Sequence, residues 1–183
     1  IENCVVFHGH GGVVVGSEMS GGVHDLFVNN CQFLGTDVGL RFKTARGRGG
    51  VVENVFIRDI SMKNIAGEAI LFDMYYQGKD PVATFGNGGE APKIEVLPVN
   101  EGTPQFKNIY VENVVAKGAE TGLLIRGLPE MPIHHIQLSN LDIESVQGYR
   151  VIEAKDITLN NAKFRETGTK KSELFHVKNW KLN

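Results

Sequence analysis

One short pattern, apolar, any, apolar, any, Asn or Asp, apolar, recurs along this chain and limits its fold more than any other feature. It appears as Leu26-Phe27-Val28-Asn29-Asn30-Cys31, Val55-Phe56-Ile57-Arg58-Asp59-Ile60 and Ile109-Tyr110-Val111-Glu112-Asn113-Val114. It continues as Ile136-Gln137-Leu138-Ser139-Asn140-Leu141, Ile157-Thr158-Leu159-Asn160-Asn161-Ala162 and Phe175-His176-Val177-Lys178-Asn179-Trp180, with Asn3-Cys4 as a partial first copy. The marker positions 3, 30, 59, 113, 140, 161 and 179 are separated by 27, 29, 54, 27, 21 and 18 residues. The long interval reads as one coil plus an insertion.

Alternating apolar residues rich in Val and Ile describe short strands with one face inward, and such strands bury that face only if neighbouring coils stack on it. The expected fold is therefore all-β, a right-handed parallel β-helix. The marker Asn suits a bend between sheets, because Asn tolerates left-handed backbone and its amide can bond to the next coil. A leucine-rich repeat also carries a periodic Asn, but it favours Leu and puts two residues before that Asn, where one stands here. Second strands follow in most coils, at Gly12–Gly16, Gly39–Lys43, Ala69–Phe72 and Gly122–Ile125. The 183 residues, 42% hydrophobic, are expected to form one domain, 1–183. A long loop insertion is expected at about 73–105, where Pro81, Pro92, Pro98, Pro104 and Gly86-Asn87-Gly88-Gly89 break the pattern. Trp180 and Leu182 are expected to cap a tapering C-terminal end. Ile1-Glu2-Asn3-Cys4 starts in mid-coil, so the helix is expected to be truncated at its N-terminal end, its exposed first coil open to self-association.

Charge and cysteine content exclude several functions. A net charge of −2 argues against a nucleic-acid partner, and no run of about 18 apolar residues marks a membrane span. Cys4 and Cys31 lack partners at zinc-ligand spacing and are expected to be buried small hydrophobes. No metal or other cofactor is expected.

Two stretches could carry chemistry. In Phe7-His8-Gly9-His10-Gly11-Gly12, a histidine between glycines has little cover and can face a cleft. Two histidines one residue apart on a strand could share a metal, but no further ligands accompany them. Arg41-Phe42-Lys43-Thr44-Ala45-Arg46-Gly47-Arg48 gathers four cations without an anion. On a strand Arg41 and Lys43 share one face while Phe42 packs inward, and such a pair suits a carboxylate or phosphate; the alternative is a solvated edge. Aligning Asn3 with Asn30 sets His10 beside Asp37 and Val14 beside Arg41, so one surface stripe could hold all of these groups.

Gly9-His10-Gly11 and Arg41-Phe42-Lys43 resemble the Gly-His-Gly and Arg-Ile-Lys motifs of glycoside hydrolase family 28, the polygalacturonases. Gly16–Gly22, Gly35-Thr36-Asp37 and Gly127-Leu128-Pro129-Glu130 are similar to its exo-acting members. The resemblance implies hydrolysis of α-1,4-galacturonosyl bonds with inversion, in a secreted, periplasmic or cell-wall location. It implies that His10 supports the catalytic carboxylates, that Arg41 and Lys43 bind the galacturonate carboxylate of a pectic substrate, and that Tyr75 or Tyr76 contacts that substrate. The choice between the two tyrosines stays open. Glu18 and Asp37 are assigned to substrate contact or local hydrogen bonding, Asp37 orienting His10. Inversion needs a general acid and a base with carboxyls about 6.5–9.5 Å apart. The family's Asn-Thr-Asp and Asp-Asp motifs are absent from these 183 residues, so the chain alone is expected to be inactive. The alternative is a noncatalytic β-helix that binds acidic polysaccharide.

Overall fold

The computed structural model describes residues 1–76, residue 91 and residues 95–183. Its strands are β1 (Val5–Phe7), β2 (Val13–Val15), β3 (Val23–Leu34), β4 (Leu40–Lys43), β5 (Val51–Lys63), β6 (Glu68–Asp73), β7 (Gln105–Arg126), β8 (Ile133–Glu166) and β9 (Glu173–Leu182). Every pairing between these strands is parallel. One stack runs β1-β3-β5-β7 and a second runs β2-β4-β6-β7, both continuing into β8 and β9. Coils stacked in this way form a parallel β-helix.

The repeat explains how each coil bends. All seven marker residues have φ between 51° and 58°, a left-handed conformation that Asn and Asp tolerate better than other side chains. Their amides then link the coils. Asn30 Nδ2 donates to Asn3 Oδ1 at 2.7 Å, Asn113 to Asp59 at 2.9 Å, Asn140 to Asn113 and Asn161 to Asn140 at 3.0 Å each. The Asp59–Asn113 bond spans the long interval, so that interval is a single coil carrying an insertion. Asn140→Ala loses two ladder bonds and forces a Cβ-bearing residue without a local amide to stay at positive φ. It is expected to cost about 1–2 kcal/mol in urea unfolding.

One marker belongs elsewhere. Asn179 stacks on Asp156, donating to it at 2.7 Å across 23 residues, and not on Asn161. The final coil is therefore 23 residues long instead of 18, and Asn183 takes the place above Asn160 and Asn161. Asp25, Asn54, Asn108, His135, Asp156 and Asn179 are all left-handed and line the preceding bend, where Asn54 donates to Asp25 and Asn179 to Asp156. Ile152–Ile157 matches the motif as well as Phe175–Trp180 does, and the two segments pair with each other.

Between the bends, alternate side chains stack in columns. Val28, Ile57, Val111 and Leu138 form one, and Cys31, Ile60, Val114 and Leu141 another, all buried. Cys4 departs from expectation: it is exposed, because in the first coil a neighbour covers it from one side, while Cys31 lies between two coils. Under the second stack, the rings of Phe42 and Phe72 lie 4.9 Å apart and nearly parallel, and Phe106 meets both edge-on. On the outside of the first stack Phe27, Phe56 and Tyr110 stack at 5.1–5.2 Å. Trp180 packs against Tyr149, and Leu182, itself half exposed, lies in register on the fully buried Leu159. Most of the 73–105 insertion, with Pro81, Pro92 and Gly86–Gly89, lies outside the described residues. Its return limb is ordered against the turn after β4, where Gly47 and Gly49 both donate to the Gly102 carbonyl.

Candidate functional site

β4 carries both cations. Its inward residues Leu40 and Phe42 are fully buried, so the pleat turns Arg41 and Lys43 to the outer face. Val14 lies beside Arg41 in the register, as the 27-residue spacing predicted. Gly16 lets β2 end against this strand: it has φ 91°, and a Cβ there would fall 1.9 Å from the Lys43 carbonyl oxygen. Lys43 is 8% exposed, rare for a lysine, and its ammonium lies 4.2 Å from the centre of the Tyr76 ring. The Arg41 guanidinium lies 5.8 Å from the same ring. Two cations at one aromatic ring gain cation–π attraction while repelling each other, an arrangement that an anion relieves.

The structure separates the two tyrosines. Tyr75 is buried, its ring against Arg46, and its N–H donates to Asp73 Oδ1 at 2.9 Å. Tyr76 is the one beside Arg41 and Lys43. Its N–H donates to the Thr44 carbonyl, which pins the end of β6 to the end of β4.

His10 and Asp37 meet as the coil spacing indicated, Nδ1 to Oδ2 at 2.6 Å, both side chains well exposed. An ionised carboxylate only accepts, so Nδ1 carries the proton of this bond, which fixes the orientation of the ring. Arg41 Nη1 donates to the His10 carbonyl at 3.2 Å, tying the cation pair to the Gly-His-Gly turn. His8 is not on a strand with His10: β1 ends at Phe7, and His8 has φ 50° with its ring over Gly35. Glu18 stands apart, largely exposed and 3.3 Å from Arg48.

Two ion pairs beside the site were not anticipated. Arg126 Nη2 donates to Asp73 Oδ2 at 2.5 Å across 53 residues. Asp73 is next to Lys43 in the register on one side and to Arg126 on the other. The 54-residue marker interval, applied to Asp73, points to Gly127; the second stack pairs at 53 residues, and that one-residue difference brings Arg126 to Asp73. Arg46 grips Glu130 with two bonds, Nε to Oε1 at 2.6 Å and Nη2 to Oε2 at 3.0 Å, and reaches the Glu95 carbonyl at 3.4 Å. This pair joins the turn after β4, the return limb of the insertion and the Gly127–Glu130 turn. No periodic signal marks it.

Burial raises the Glu130 pKa, but the Arg46 bond, backbone N–H groups and the Arg46 charge outweigh it, and the net shift is downward. A carboxyl depressed in the folded state adds stability above the ordinary glutamate range and loses it as pH falls through its folded value. Glu130→Gln is therefore expected to cost about 1–2 kcal/mol at pH 7. That difference from the parent chain is expected to shrink in urea unfolding as the pH is taken below the ordinary glutamate range.

Residues 1–111 match the sequence model of the glycosyl hydrolases family 28. The chain belongs to that family. It is 30% identical over 162 residues to the exo-poly-alpha-D-galacturonosidase of Dickeya chrysanthemi, a match covering 86% of this chain and 25% of that protein. Among solved structures, the family 28 exopolygalacturonase of Yersinia enterocolitica superposes with a TM-score of 0.79 at 22% identity, over 98% of this chain and 30% of that one. A hyperthermoactive exopolygalacturonase from Thermotoga maritima gives 0.62 at 28% identity, over 77% and 29%. This family 28 chain spans about a quarter of the length of the curated relatives it matches.

Proposed function

We propose that this chain supplies the substrate-carboxylate grip of a pectin-degrading glycoside hydrolase that cleaves α-1,4-galacturonosyl bonds with inversion. The convergence of Arg41, Lys43 and Tyr76 beside the His10–Asp37 pair supports it most directly. In this reading Arg41 and Lys43 hold a galacturonate carboxylate, Tyr76 packs against that sugar, and His10, oriented by Asp37, supports the catalytic carboxylates. Tyr75 serves the turn and not the sugar, and Glu18 sits at the rim. The 183 residues act in this reading as a single domain. Pectin lies outside cells, so the location that goes with this activity is secreted, periplasmic or cell wall. Ile1, Val5 and Phe7 are exposed on the first coil, and self-association through them is part of the same proposal.

The 183-residue chain by itself is expected to release no reducing ends from polygalacturonate. Asn-Thr-Asp and Asp-Asp do not occur in it, and the carboxylates near His10 are engaged, Asp37 with His10 and Glu18 with Arg48. A reducing-sugar assay reads this directly, and turnover would sink the assignment of roles. Binding is the positive test. Digalacturonate is expected to bind in a calorimetric titration at low salt, and a flat titration overturns the carboxylate grip.

A further inference from the structure

Asp73 is a buried carboxylate set between two cations. In the sheet it lies in register with Lys43 of β4 on one side and Arg126 of β7 on the other, each one strand spacing of about 4.8 Å away. At 4% exposure it is nearly cut off from water, so its charge has to be matched inside the protein. Arg126 matches it, Nη2 donating to Oδ2 at 2.5 Å, while the Tyr75 N–H holds Oδ1 at 2.9 Å. A lysine side chain is long enough to cross one strand spacing, so Lys43 and Arg126 compete for this carboxylate. Lys43 is the one left over. Its ammonium lies 4.2 Å from the centre of the Tyr76 ring, and among the described residues it forms no ion pair.

We infer that Arg126 is a positioning residue for carboxylate recognition: by holding Asp73 it keeps that carboxylate off Lys43 and leaves the Lys43 ammonium to meet a galacturonate. The inference rests on the reading of Arg41 and Lys43 as a carboxylate grip. In this role Arg126 acts through Asp73. A buried carboxylate that loses its partner keeps an uncompensated charge, and the cation beside it on the other strand is Lys43. Pairing there draws the ammonium away from Tyr76 and cancels the charge that a ligand carboxylate would meet, so Arg41 is left to act alone. Arg126 stands 53 residues from Asp73, on the coil that follows the insertion. The next coil thus sets the charge that the site presents.

Calorimetric titration of charge variants with digalacturonate tests this. Arg126→Gln is expected to weaken binding at least about tenfold. Adding Asp73→Asn is expected to restore affinity to within about threefold of the parent, because the amide still accepts from the Tyr75 N–H but no longer draws Lys43. A pair that merely braced the strands would leave the double variant as weak as the single one, and that result overturns the inference. In a Lys43→Ala background, Arg126→Gln is expected to change affinity by less than about twofold, since the residue it protects is gone. An undiminished loss there is equally fatal. Arg126→Lys keeps the charge and serves where Arg126→Gln does not fold: it is expected to bind within about threefold of the parent, and a loss of about tenfold overturns the inference. Parent binding that Arg126→Gln leaves unchanged overturns it with the carboxylate grip intact, whereas a flat titration of the parent overturns both.

Discussion

Replacing Arg41 and Lys43 together by alanine is expected to reduce oligogalacturonate affinity by about two to four orders of magnitude. Each cation is worth about 1.5–3 kcal/mol as a charge-assisted partner of a carboxylate, and 1.4 kcal/mol is a tenfold change in Kd. The fold should tolerate the change better than the site does, because both side chains point outward from β4 and the inward Leu40 and Phe42 remain. The removal has a second consequence, since Arg41 also donates to the His10 carbonyl. Single variants separate the two contributions. Lys43→Ala removes charge over Tyr76 alone, while Arg41→Ala should also loosen the Gly9-His10-Gly11 turn, visible as a change in His10 imidazole NMR signals. Affinity that survives the double substitution would remove these residues from the site. Parent binding should weaken as salt rises, and the double variant should show a shallower salt dependence.

Phe72→Ala is expected to be the most damaging single core substitution, at about 3–5 kcal/mol, a large part of the stability of an ordinary domain. The Phe72 ring is fully buried, stacked on Phe42 and met edge-on by Phe106, so three successive coils lose contact area at one position. A solenoid transmits such a loss, because each coil is stabilised by its neighbours. Phe72→Leu, which refills much of the space, should cost considerably less in urea unfolding. The site is coupled to this column. Phe42 lies between Arg41 and Lys43, and Phe72 lies between Leu71 and Asp73, so a collapsed column displaces the outer row. A cost below about 1 kcal/mol for Phe72→Ala would mean that the stack relaxes around the gap, against expectation for a close-packed interior.

Much of this architecture was legible in the residues because a stacked repeat turns a long-range contact into a fixed sequence interval. His10 and Asp37 are 27 residues apart, as are Asn3 and Asn30, and one alignment brings both pairs together. The same property leaves the register of the last coil ambiguous in the sequence. Two bends in each coil use Asn or Asp in the left-handed conformation, so Asn179 fits either bend on local pattern, and only the pairing of Ile157 with Trp180 assigns it to Asp156. Cys4 is exposed where Cys31 is buried for a related reason: burial belongs to the stack and not to the residue.

By itself the sequence determined the coil, the bend chemistry and the outward pairing of Arg41 with Lys43, since each follows from alternation along a strand and from a repeat interval. The tertiary structure alone decided which tyrosine faces those cations, that Asp73 sits between Lys43 and Arg126, and that Arg46 closes on Glu130 across 84 residues. Tyr75 and Tyr76 lie past the end of β6, where no period holds, and their directions come from the bonds of Tyr75 to Asp73 and of Tyr76 to Thr44. The Arg46–Glu130 contact joins turns whose lengths vary from coil to coil. Regular hydrogen bonding gives a strand a period that can be read along the chain, whereas a turn takes its shape from whatever neighbour it meets.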